Sequence, residues 1–321
     1  MLNEIFQFIS GNNFSSIEKV LCNPLPLKVS VVIDLEDGLQ HVIQPPLTRD
    51  LKRKAREETS LLIQKISHKI HGREIGFRIN SIRTREFNND LKFLSEIKDF
   101  IKINYIVAPK VVSRKEIESY LKIFSECKIS FREFILIIET TEATNNLQNI
   151  FSEIPSDEFH RAFWGHHDYY LSLNKFPIAE HCSKEYWELT KKIIHHLECN
   201  GYGFINGVFL ELNNNSFFRQ IIGAVSALCR NSFGAVALSY SQAKFLLSLD
   251  LINPIPYAEL VVDRNLSGYE KISLAEKTIM QFRENLLKEK SFALNESHII
   301  ISPQQYLSAV KYLNQKIPVI D

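Results

Sequence analysis

The feature that most constrains this chain is a series of short apolar runs, each closing on a polar or small residue. They are QFISG at Gly11, VSVVIDLED at Asp37, IGFRIN at Asn80, YIVAPK at Lys110, FILIIE at Glu139, RAFWGHHD at Asp168, YGFING near Asn206 and AVALS at Ser239. The runs are rich in Val, Ile and Phe, too short for independent helices, and almost continuously apolar rather than alternating. That is the pattern of strands buried on both faces of a parallel sheet.

Amphipathic helical patterns lie between most of them, over 48–71, 113–127 and 183–199. Thr48, Ser113 and Ser183 are placed as N-caps, and Glu116 stands three residues after Ser113 as in a capping box. The run ends recur at roughly 30-residue intervals, as in a barrel of about 250 residues divided into eight units. The expected fold class is therefore α/β, a (β/α)8 TIM barrel with a C-terminal helical extension. A doubly wound open sheet also alternates strand and helix, but its Gly-rich phosphate turn is missing.

The alternation stops after Ser239. A long helix from Gly268 to Lys290, an irregular stretch and a last helix from near Pro303 are expected there, with no further strand–helix unit. The predicted division is a catalytic barrel over 1–250 and a helical cap or oligomerisation arm over 251–321.

Composition narrows the function classes. Lys plus Arg number 38 against 37 Asp plus Glu, a formal charge of +1, so nothing draws the chain to a nucleic acid. The N-terminal stretch is broken by Glu4, Gln7 and Asn12, unlike a signal peptide, and no run reaches the length of a membrane span. A cytoplasmic protein without a membrane partner is the expectation. Five cysteines, with no Cys-x-x-Cys pair, point to reduced thiols rather than a disulfide framework or zinc knuckle.

In such a barrel the chemistry comes from the C-terminal strand ends, here Glu36, Asp37, Arg78, Asn80, Lys110, Glu139 and Asp168. Several acidic groups converging on one rim repel each other unless a cation offsets them. A hard divalent ion, Mg²⁺ or Mn²⁺, fits, since no Cys or His cluster stands at ligand spacing. Arg78 would offer a planar fork to a substrate carboxylate while the metal takes an adjoining oxygen, an arrangement that stabilises an enolate. His166 and His167 adjoin Asp168, but neighbouring side chains point in different directions, and neither is counted as a ligand. The basic run Lys52, Arg53, Lys54 and Arg56, and the pair His195 and His196, read as solvated helix faces.

These residues carry a resemblance. VVIDLEDG, FRIN, APKV, IIETTEATNNLQNI and WGHHD, in that order, resemble the conserved segments of the citrate lyase β-subunit-like branch of the HpcH/HpaI aldolase superfamily. FISGNN and HIIISPQQYLSAVKYL are similar to its opening turn and final Pro-led helix, which extends the likeness over nearly the whole chain. The resemblance implies Glu139 and Asp168 as metal ligands, Arg78 as the group that binds the substrate carboxylate, and Asn80 and Lys110 as supporting substrate contacts. Glu36 and Asp37 would orient Arg78 and metal-bound water. It also implies a homo-oligomer, commonly a trimer.

The chain departs from the family pattern at Glu4, where Arg is usual, and at Ala235, Ser239 and Tyr240, where the family has Lys, His and Pro. The latter changes fall where the family handles a thioester. The divergence resembles a group of barrel-type C–C bond lyases associated with bacterial stress and tellurite-resistance gene clusters. The expected activity is a Mg²⁺-dependent carbon–carbon lyase or aldolase acting on a 2-oxo acid or a 3-hydroxyacyl substrate, with a CoA thioester among the candidates. Alternatives are a phosphorylated or nucleotide-linked substrate in the same metal barrel, or a diverged binding subunit.

Overall fold

Eight strands form in the positions of the eight apolar runs: β1 (Leu2–Ser10), β2 (Val29–Asp34), β3 (Ile75–Arg78), β4 (Tyr105–Ala108), β5 (Glu133–Ile138), β6 (Arg161–Trp164), β7 (Gly203–Asn206) and β8 (Phe233–Ala237). They pair in parallel in chain order and close, β8 meeting β1 from Leu2–Phe233 to Gln7–Ala237. The computed structural model describes residues 1–22, 29–70, 72–152, 159–249, 252–262, 265–286 and 291–316. The (β/α)8 barrel expected from the spacing is the fold observed.

The apolar runs are continuous because the strands are covered on both sides. Phe6, Val32, Tyr105, Val107, Ile135, Ile137, Phe163, Ile205 and Val236 fill the barrel interior. Their alternate neighbours, such as Ile5, Ile33, Ile106 and Leu136, pack outward against the helices. At the N-terminal end of the barrel, Glu4 pairs with Arg161, which also binds Glu133 through Nε to Oε1 at 2.9 Å. The Glu4 departure therefore belongs to an ion-paired plug at the end opposite the C-terminal strand ends.

Two local expectations are corrected. Thr48 is not a cap: the helix runs Leu47–Ile66, starts after Pro45 and Pro46, and uses the Thr48 hydroxyl to accept from the His41 N–H at 3.0 Å. Nor is the whole basic run solvated. Lys52 and Arg56 lie on the buried stripe of that helix with Ala55, Thr59 and Ile63, Lys52 bonding Asn80 and Arg56 bonding Asp90 at 2.9 Å and Glu86 at 2.5 Å. Ser113 does cap its helix, accepting from the Glu116 N–H, while Glu116 reaches back to the N–H of Val112. Ser183 occupies the N-cap position of Lys184–Cys199 without a side-chain bond.

Beyond the barrel helix Tyr240–Leu247, the helix Gly268–Asn285 begins with a full Ser267/Glu270 capping box. The predicted continuation over 287–290, like His71 of the earlier helix, lies outside the described residues. The irregular stretch expected before the last helix contains a short antiparallel pair, β9 (Ala293–Leu294) and β10 (Ile300–Ile301), separate from the barrel. The last helix, Pro303–Lys316, stacks Tyr306 on Phe282 at 4.5 Å and packs against the helix His166–Ser172 that follows β6. No helix among the described residues is long and apolar enough to cross a membrane.

Candidate metal centre

The period-two rule carries the barrel's inward face upward into charge. In β2 the residue after inward Val32 on the same face is Asp34, and in β5 the series Ile135 and Ile137 reaches Glu139 one step past the strand. Asp34 and Arg78 are register partners on β2 and β3, so their side chains share the interior. Asp34 also accepts the N–H groups of Glu36 at 2.9 Å and Gly38 at 2.7 Å. This fastens the turn after β2, which carries Glu36 and Asp37.

Sequence reasoning assigned Asp34 no role, although it is the polar residue that breaks the apolar run VVID. The structure gives it the Nε and Nη2 edge of Arg78. Arg78 Nη1 stands 3.6 Å from both Glu36 and Asp37, and its guanidinium lies over Phe8.

Asp37, Glu139 and Asp168 bring carboxylate oxygens within 4.8 Å of one another. Asp37 thus stands with the two predicted ligands rather than behind them. Gly165 makes the approach feasible, since a Cβ there would come within 2.7 Å of the Glu139 Cβ and 3.0 Å of its Oε2. Lys110 bridges the group. Its Nζ lies 2.7 Å from Glu36, 3.5 Å from Asp37 and 3.7 Å from Asp168, and its N–H donates to Glu139 Oε1 at 2.8 Å. Lys110 adopts φ 57°, a left-handed conformation that costs a non-glycine residue about 1–2 kcal/mol and is maintained here by those two anchors.

The electrostatics show too little positive charge for so many carboxylates. Burial and Asp168 push Glu139 well above the ordinary carboxylate range, burial and Asp37 push Asp168 up to about 6, and burial and Asp37 push Glu36 up to about 7. Asp37 goes the other way, since Lys110 and Arg78 outweigh its burial. The Asp37, Glu139 and Asp168 donor set is all oxygen and is only partly offset by Lys110 and Arg78, which suits a hard divalent cation such as Mg²⁺ or Mn²⁺.

A cavity of about 440 Å³ opens over this group, lined by Asp34, Arg78 and the acidic trio together with apolar Phe8, Phe163 and Leu238. Asn80 does not line it. Its amide is buried and bonds Lys52, Asp90 and the Leu35 carbonyl. Ser239, at the altered family segment, does line the cavity and caps its helix through the Gln242 N–H.

Two features escaped sequence reasoning. Gln304, from the last helix, donates to Asp168 Oδ2 at 2.8 Å and Asp37 Oδ2 at 3.2 Å. His166 and His167, expected to diverge, both turn Nε2 toward Glu180, at 3.3 and 3.0 Å.

Residues 5–232 match the HpcH/HpaI aldolase/citrate lyase family. The chain belongs to that family. A search of curated proteins finds no match. Among solved structures, a citrate lyase β subunit from M. tuberculosis, complexed with oxaloacetate and magnesium, is 18% identical with a TM-score of 0.54, covering 76% of this chain and 95% of its own. RipC from Yersinia pestis is 16% identical with a TM-score of 0.54, covering 82% of this chain and 96% of its own. Haloferax volcanii malate synthase, in a ternary complex with pyruvate and acetyl-CoA, is 12% identical with a TM-score of 0.67, covering 98% of this chain and 91% of its own. At these identities the likeness is one of fold, and in the malate synthase it takes in the segment beyond the family match.

Proposed function

We propose that this HpcH/HpaI family member is a metal-dependent enzyme that makes or breaks a carbon–carbon bond beside a carbonyl, with a 2-oxo acid or a 3-hydroxyacyl compound as substrate. The observation that carries the reading is the convergence of Asp37, Glu139 and Asp168 under an accessible cavity. These three residues would hold Mg²⁺ or Mn²⁺. The ion supplies Lewis acidity for negative charge developing on a carbonyl oxygen. The oxo-acid and acyl-CoA complexes of the structural relatives support the choice of substrate class.

The chain's own residues have separable tasks. Asp34 fixes the guanidinium plane of Arg78, which lines the cavity and would bind a substrate carboxylate there. Lys110 and Arg78 hold Asp37 in its ionised form. Phe8, Phe163 and Leu238 receive the alkyl part of the substrate and exclude water. The segment over 251–321 acts as a cap on the barrel of 1–250, reaching the acidic trio through Gln304.

The deciding experiment couples turnover to thermal shift. Millimolar Mg²⁺ or Mn²⁺ is expected to raise the melting temperature of the wild type, but not of Glu139→Gln or Asp168→Asn. The same ions should support turnover of an oxo acid or a 3-hydroxyacyl thioester. A wild type indifferent to both ions overturns the proposal.

A further inference from the structure

Beside the all-oxygen trio lies a cluster of different chemistry. A ring nitrogen each from His166 and His167 and a carboxylate oxygen of Glu180 come within 4.8 Å of one another, and both Nε2 atoms lie against the Glu180 carboxylate. The two rings meet edge to face, centroids 4.2 Å apart at 66°, and do not stack.

We propose that His166, His167 and Glu180 form a second metal site, selective for a borderline transition-series ion such as Zn²⁺ or Co²⁺. This goes beyond the reaction proposed above and rests on different residues. Two imidazoles and one carboxylate are the donors such ions favour, whereas Mg²⁺ prefers oxygen alone. The two clusters thus sort ions by softness along one rim.

Two observations favour an ion over a plain hydrogen-bonded trio. Glu180 is steadied from outside the trio, as a ligating carboxylate is, by Gln305 Nε2 donating to Oε1 at 3.2 Å. A third ring, His181, brings Nδ1 to 4.0 Å from Glu180 Oε2, within a small shift of completing a fourth position. Gln304 and Gln305 therefore place consecutive amides on the two clusters, and an ion at the second would pin the last helix to the loop after β6.

The test is a Zn²⁺ titration of the intact protein held in saturating Mg²⁺, with X-ray absorption at the zinc edge on the wild type. One tightly bound Zn²⁺ with imidazole scattering is expected. His167→Gln and Glu180→Gln should each weaken it more than about 100-fold, and Glu139→Gln should leave it in place. The proposal is overturned if the wild type takes up no Zn²⁺ under Mg²⁺, if its zinc shows oxygen donors only, or if Glu139→Gln removes the zinc and the other two variants do not. Because the wild-type spectrum needs no variant to fold, and the Mg²⁺ thermal shift is read separately, failure here is distinguishable from failure of the proposed reaction.

Discussion

Asp34 and Arg78 face each other across the β2–β3 ladder in two parallel bonds, Nε to Oδ1 at 2.7 Å and Nη2 to Oδ2 at 2.5 Å. The pair is nearly buried and fixes one edge of the guanidinium, while Nη1 stands 3.6 Å from Glu36 and Asp37. Asp34→Ala removes both bonds from a nearly buried cation and the acceptor of the Glu36 and Gly38 N–H groups, and is expected to cost about 3–5 kcal/mol in urea denaturation. Arg78→Lys keeps the charge but loses the fork. A fall of about 100-fold in kcat/KM is expected, with stability much less affected.

Gly165 is the opening through which Glu139 reaches the rim. Gly165→Ala should leave the barrel folded, as judged by circular dichroism, while displacing the Glu139 carboxylate and abolishing the Mg²⁺-dependent rise in melting temperature. An unchanged metal response would show that Glu139 has another route.

Gln304 donates to two of the three clustered carboxylates. Gln304→Leu removes that donor, and a loss of about 1–3 kcal/mol is expected without metal. Saturating Mg²⁺ should shrink the penalty, because the ion takes over the neutralising task. Paired urea titrations with and without Mg²⁺ measure the difference.

Burial and the neighbouring Glu198 push the Cys229 thiol up to about 12, while Cys199 lies exposed. A raised thiol pKa means that the reactive thiolate is scarce at neutral pH and grows as pH rises toward that value. Iodoacetamide at pH 8 should label Cys199 and spare Cys229. The Cys229 rate should keep climbing about tenfold per pH unit beyond pH 9, where an ordinary thiol levels off. Peptide mapping across pH reads both.

The eight strands were legible because a strand covered on both faces leaves an apolar run that composition alone exposes. The charged stripe was misread for the complementary reason. Lys52 and Arg56 share the helical spacing of Ala55, Thr59 and Ile63, so their position marked them as inward, but their charge suggested water. Asp34 had a signal as well, since it lies two residues past inward Val32 in an otherwise apolar run. Gln304 offered none. It meets Asp37 across 267 residues of chain, and no local periodicity encodes such a contact.

That separation orders events during synthesis. β1 cannot find its second neighbour until Phe233–Ala237 has been made, and even a closed barrel still lacks the amide that meets Asp37 and Asp168. A nascent chain therefore owns a finished scaffold some 70 residues before it owns a finished pocket. The wall formed by Ser302, Pro303 and Gln304 is added only when the last helix docks.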